Sequence, residues 1–195
     1  MDLKSAADEE LARQSQAGSL EAFEELVSRY ERRIYAFTAQ WRCNPSEARE
    51  VTQDAFVRAF QAIAQFDTRR PFAPWLFAIA RRRCVDLHRH FRPVSEDPLP
   101  DLPDLDDPAE VLARREEGEN VWRLARRHLG DGQYQAIWLR YAEDMNVAEI
   151  AQALGKTQTH VKVLLFRARQ KLAGPLRRAG RETPALAPAT EGGSP

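Results

Sequence analysis

The sequence predicts an all-α protein made of two small helical domains joined by an extended acidic linker. Three observations predict it. Apolar residues recur at helical spacing with no strand-like alternation, helix-capping patterns recur along the chain, and a proline-rich acidic stretch separates two basic helices. The boundaries are read as an N-terminal segment at 1–18, a first domain at 19–92, a linker at 93–107, a second domain at 108–178 and a tail at 179–195.

The elements follow in order. Ser19 is placed to cap a helix reaching about Trp41, with Leu20, Phe23, Leu26, Val27, Tyr30, Ile34 and Phe37 along one side. Asn44-Pro45-Ser46-Glu47 has the form of a capping box with proline at the first helical position, and it opens a helix to about Phe66. A loop from Asp67 to Ala73 precedes a basic helix opened by Pro74 and stopped by Pro93. Pro93, Pro98, Pro100 and Pro103 with interleaved acids, and Pro108 just beyond, make the linker extended. Asp107-Pro108-Ala109-Glu110 repeats the capping pattern and starts the second domain. In that domain Asn146 and Glu149 form a further box, Gly155 supplies a left-handed stop, and Thr157 caps a final helix. The tail from Ala179 is too poor in apolar residues to fold alone.

Net charge is zero, yet the charge is sorted. Arg69 to Arg92 carries +6, Lys156 to Arg181 carries +8, and Val94 to Glu119 carries −8. Two basic surfaces therefore flank a polyanion-like tether, the pattern of a two-point grip on nucleic acid. Cys43 and Cys84 stand far apart, which suits a reducing cytoplasm and offers neither a disulfide framework nor a zinc knuckle. The polar N-terminus and the lack of a long apolar run predict no export signal and no membrane insertion.

Three surfaces carry the functional reading. The first is the polar side of the second helix, where Glu47, Glu50, Gln53, Asp54 and Gln61 share one arc, opposite Val51, Ala55, Ala59, Ala62 and Phe66. Residue chemistry alone weighs solubility and docking on a basic partner evenly there. The second is the loop and basic helix, where Phe66, Phe72 and Trp75 neighbour Arg69 and Arg70, followed by Arg81, Arg82, His88 and Arg89; aromatic faces beside guanidinium groups are what single-stranded bases stack on. The competing reading makes those aromatics core residues. The third is a helix-turn-helix spanning Asn146 to Leu172. Val161, Leu164, Leu165, Ala168 and Leu172 face inward, leaving Gln158, Thr159, His160, Lys162 and Val163 at the exposed start of the second helix, where base edges are read.

A search for chemistry comes out empty. His88 and His90 face different sides of a helix, Cys84 with His88 lacks further ligands, and neither a phosphate-binding glycine loop nor a Ser/His/Asp grouping is present. The expectation is a protein without catalytic residues, metal or cofactor.

The motif order is specific. Ser46-Glu47-Ala48-Arg49-Glu50-Val51-Thr52-Gln53-Asp54-Ala55-Phe56, then Phe66, then Phe72-Ala73-Pro74-Trp75-Leu76-Phe77-Ala78-Ile79-Ala80-Arg81, then a helix-turn-helix ending Phe166-Arg167-Ala168-Arg169-Gln170-Lys171-Leu172, resembles an extracytoplasmic-function (ECF) sigma factor of bacterial RNA polymerase. The resemblance covers about Ala17 to Leu172. It implies that Glu47, Glu50, Gln53 and Asp54 contact core RNA polymerase. It implies also that Phe66, Arg69, Arg70, Phe72, Trp75, Arg81, Arg82 and Arg89 hold the single-stranded -10 element during melting. Gln158, Thr159, His160, Lys162, Val163, Phe166 and Arg167 then face the duplex -35 element.

Further partners implied are promoter DNA and an anti-sigma factor. The sequence departs from the family pattern at three places. Arg49 stands where relatives commonly carry a carboxylate, Arg82 where asparagine is frequent, and Val163 and Leu164 where serine and arginine are more usual. The rival expectation is a stand-alone helix-turn-helix regulator that binds duplex operators without polymerase.

Overall fold

The computed structural model describes residues 3–41, 44–90 and 121–182, with 88–90 and 177–182 as backbone only. The linker, the expected capping box at Asp107 and the side chain of Arg89 lie outside the described residues. Those residues contain helices and turns and no strand. After a 3-10 turn at Leu3–Ser5 come α1 (Asp8–Gln16), α2 (Leu20–Thr38), α3 (Pro45–Ala62), a 3-10 turn at Ile63–Gln65 and α4 (Phe72–His90). The second half holds α5 (121–128), α6 (Asp131–Tyr141), α7 (Val147–Leu154) and α8 (Gln158–Glu182).

The expected caps are in place. Ser19 Oγ accepts the Ala22 N–H at 3.2 Å. At α3 the Glu47 N–H donates to Asn44 Oδ1 while the Asn44 N–H donates to Glu47 Oε2, both at 2.9 Å. The same reciprocal pair joins Asn146 and Glu149 at α7, at 3.1 and 2.7 Å. Gly155 ends α7 at φ +58°, a conformation in which a Cβ would meet the following carbonyl.

Five boundaries differ from expectation, the first being that α3 ends at Ala62 and gives way to the 3-10 turn before Phe66. A nine-residue helix, α1, occupies the N-terminal segment and buries Leu11 and Ala12 against α2. Arg29 of α2 ties it down, pairing with Asp8 (2.7 Å) and Glu25 (2.8 Å) and donating to the carbonyls of Leu3, Lys4 and Ala6. The helix after Ser19 stops at Thr38, short of Trp41. The next basic helix begins at Phe72 instead of Pro74, because Glu9 of α1 accepts the Phe72 N–H at 3.0 Å and so supplies a cap from elsewhere in the chain. Finally, α8 runs through Pro175 to Glu182, so residues 179–182 are helical where the sequence reading placed the start of the tail.

Phe37, Leu26, Ile34, Leu76 and Phe77 centre the first half, with Phe37 and Phe77 edge to face at 5.2 Å. Leu139, Ile150, Leu154 and Val161 centre the second. The buried residues of both halves belong to one hydrophobic cluster, and α4 packs along α7. This docking was not part of the sequence expectation, which treated the halves as separate modules.

Candidate nucleic-acid interface

The recognition helix is built by its own periodicity. Val161, Leu165, Ala168 and Leu172 are buried at helical spacing against α6 and α7, and that burial turns the remaining arc outward. Gln158, Thr159, His160, Lys162, Val163, Phe166 and Arg167 are all exposed and lie together on that arc. Thr157 Oγ1 accepts the His160 N–H at 3.2 Å and fixes the helix start. Phe166 (60% exposed) and Val163 (41%) add apolar surface suited to a thymine methyl or a sugar face. Beside them Arg169 donates to Tyr141 Oη at 3.1 Å with its guanidinium over the Tyr141 ring, extending the basic face across α6.

The loop and α4 present a different picture. Arg69 is held by Asp67 through two side-chain hydrogen bonds of 2.8 and 3.0 Å, and the Arg70 guanidinium lies 3.6 Å from the same carboxylate. Hydrogen bonds from Arg69 hold the Asp67 carboxyl down at about 2. Asp67 is a positioning residue that the sequence reading passed over, although its spacing to both arginines was visible. Arg82 is exposed.

Two of the expected stacking residues are placed elsewhere. Phe72 (1% exposed) and Phe66 (5%) are core side chains, packed edge to face on each other at 5.5 Å, with Tyr30 against Phe72. Their ring faces are taken up by protein because the α1–η turn–α4 corner needs large apolar volume, and they present no platform to a base. Trp75 is half-buried against both, leaving it the one aromatic of the three with accessible surface.

Arg81 is half-buried where α4 meets α7, in a cleft of about 360 Å³ lined by Ala78, Arg81, Arg82, Val85 and Asp86 of α4 with Gln152 and Gly155 of the facing half. Burial pushes its guanidinium pKa below the ordinary value.

On α3, Glu50 and Gln53 are exposed, while Glu47 is half-buried with its carboxylate engaged in the capping box. Asp54 pairs with Arg58 at 3.2 Å and with Arg83 of α4. The same side of α3 continues into exposed Val57 and Phe60. Solubility explains an acidic row but not large apolar side chains beside it, so this face has the make-up of a docking surface.

Residues 26–92 match the family model described as Sigma-70 region 2, and residues 124–172 match that of Sigma-70, region 4. The RNA polymerase sigma factor CnrH of Cupriavidus metallidurans is 32% identical over 86% of this chain and 93% of its own length, and NccH of Alcaligenes xylosoxydans xylosoxydans is 30% identical over the same shares. The chain belongs to the sigma-70 family, as an ECF sigma factor. BldN of Streptomyces coelicolor, named as an ECF RNA polymerase sigma factor, is 28% identical over 88% of this chain and 67% of that protein. The structure of CnrH in complex with the cytosolic domain of CnrY superposes with a TM-score of 0.65 at 29% identity, covering 89% of this sigma factor and 99% of that chain. The sigma factor thus has region 2 in α2–α4 and region 4 in α5–α8, and no described helix is long and apolar enough to cross a membrane.

Proposed function

We propose that this sigma factor docks on core RNA polymerase through the Glu47, Glu50, Gln53 and Asp54 side of α3, and that Val57 and Phe60 extend the contact. Arg69, Arg70, Arg81 and Arg82 hold the non-template strand of the -10 element, with Trp75 at the edge of that surface. Gln158, Thr159, His160, Lys162, Val163, Phe166 and Arg167 face the -35 duplex. The protein carries no chemistry of its own, works in the cytoplasm and is held in check by an anti-sigma factor. A relative, the SigE of Rhodobacter sphaeroides, has been seen with the anti-sigma ChrR.

The observation that carries this reading is the complete exposure of the seven-residue arc on α8, on a helix whose other side is fully committed to the core. Release of the Asp67 pairs costs little, because ion pairs this exposed are screened by water and salt, and phosphates replace the carboxylate as partner.

Run-off transcription with purified core polymerase on fragmented host DNA tests it. Glu50 and Gln53 are the informative positions, since Asp54 also serves an internal pair. Wild-type protein yields discrete transcripts, and Glu50→Arg/Gln53→Arg loses them while keeping its helicity. Tight duplex binding by the protein alone, with no polymerase-dependent transcript, would sink the proposal in favour of an operator-binding regulator.

A further inference from the structure

We propose that α1, which precedes the stretch matched by region 2, belongs to the -10 reading apparatus: Glu9 and Gln16 are positioning residues that hold the two ends of the 67–71 loop and so set where Arg69 and Arg70 stand. The inference deepens the reading of that loop given above and rests on it.

Two helix ends face each other across this loop. The last carbonyls of one helical run and the first N–H groups of the next need partners from outside their helices. Here both sets are met from α1. Gln16 Nε2 donates to the Ile63 and Phe66 carbonyls, each at 2.8 Å, and Glu9 Oε1 accepts the Phe72 N–H at 3.0 Å. The Gln16 amide nitrogen has two donors, and both go to this junction. One helix reaches the two ends because Glu9 and Gln16 stand seven positions apart on the same side of α1, about 10 Å from each other along its axis.

The helix that holds the loop is itself fixed. Leu11 and Ala12 are buried against α2, and Asp8 accepts from the Arg29 guanidinium at 2.7 Å and from the Tyr30 hydroxyl. α1 therefore carries the position of the first domain's core out to both loop ends.

Contacts inside the loop do a different task. The Arg70 N–H donates to the Asp67 carbonyl at 2.9 Å, and the Asp67 carboxylate accepts from the Arg69 guanidinium. These bonds shape the turn without setting where it stands relative to α4. Nor does packing place the two cations, since the Arg69 and Arg70 side chains are 88% and 67% exposed. The backbone beneath them carries that task, and its ends are what Glu9 and Gln16 hold. A loop released at either end has to be ordered when a strand binds, which lowers affinity.

The experiment uses the full-length protein and a short fluorescent single strand of mixed sequence, with binding followed by anisotropy. It compares wild type, Gln16→Ala, Glu9→Ala, Glu9→Gln, the loop variant Arg69→Ala/Arg70→Ala, and that loop variant carrying Gln16→Ala. Circular dichroism checks helicity and a thermal melt checks stability, so that every affinity refers to folded protein. Gln16→Ala, at an exposed position, and Glu9→Ala bind the strand about fivefold more weakly, the loss expected when about one further side chain is ordered on binding. Glu9→Gln keeps an acceptor oxygen toward the Phe72 N–H and binds within about twofold of wild type. In the loop variant Gln16→Ala has no further effect, because the cations it positions are gone. Wild-type strand binding by both folded alanine variants, with only the melting point lowered, overturns the proposal, and so does an undiminished Gln16→Ala effect in the loop variant. Failure of the underlying reading looks different. There the loop variant itself binds like wild type, whereas a loop variant that binds weakly beside unaffected Gln16→Ala and Glu9→Ala leaves that reading standing and sinks the positioning roles.

Discussion

Single residues on this surface are already engaged within the free protein. Asp67 shows this most simply. Its carboxylate organises the loop by accepting from the Arg69 N–H at 3.2 Å and from the Arg69 guanidinium, so both arginines are held ready beside the start of α4. The lowered pKa means that its contribution to loop order is fully present above the ordinary carboxylate range and is lost as pH falls through about 2. A carboxyl NMR titration is expected to place the Asp67 midpoint near 2, and Arg69→Ala to return it to the ordinary range. A midpoint unmoved by that substitution would assign the shift to another cause. Phe66 and Phe72 teach the opposite lesson. Residue type and neighbourhood fitted base stacking, but the same side chains satisfy a core, and sequence spacing does not distinguish a ring that faces Tyr30 from one that faces solvent.

Helices were legible where their ends are written locally. The boxes at Asn44 and Asn146 and the left-handed Gly155 each involve residues within four positions of one another, so spacing suffices to find them. The start of α4 was displaced by two residues because its cap, Glu9, comes from 63 positions away. The helicity of α1 was missed for a related reason. It is short, and what fixes it is Arg29, which reaches back to three carbonyls and Asp8 of the preceding segment. The Asn146 cap gives the element-scale prediction. Asn146 Oδ1 accepts from both Ala148 and Glu149, at 2.9 and 3.1 Å, at the helix that supports the recognition helix. Asn146→Ala is expected to cost about 1 kcal/mol and Asn146→Gly only a few tenths. For a protein of this size that puts the alanine variant about 2–4 °C lower in a thermal melt. An alanine variant that melts with the wild type would show that the cap oxygen contributes nothing.

The arrangement of the whole molecule was the least legible, because neither Arg33 nor Glu143 belongs to a local pattern. Arg33 reads as one charge in Glu31-Arg32-Arg33 on a solvated helix, and Glu143 as part of a polar turn. Only the fold brings them together, and it buries the acid more than the base. Burial pushes the Glu143 carboxyl pKa up, and the Arg33 charge offsets this in part; Arg33, itself drawn down by burial, ends above its ordinary value because of the Glu143 carboxylate. The sign follows from linkage. A carboxyl whose pKa is higher in the folded protein than in the unfolded chain binds its proton more readily when folded, so its contribution to stability is fully present below the ordinary carboxylate range and is lost as pH rises through the window between that range and the raised value. Removing Arg33 takes away the offset and widens that window upward. The Arg33→Ala protein is therefore expected to melt below the wild type near neutrality and to recover on mild acidification, read as the thermal midpoint against pH. Arg33→Ala/Glu143→Gln, which has nothing to protonate at that position, is expected to show no such recovery across the same range. An Arg33→Ala protein whose midpoint does not recover down to the ordinary carboxylate range would show that the buried acid is not what the substitution leaves uncompensated.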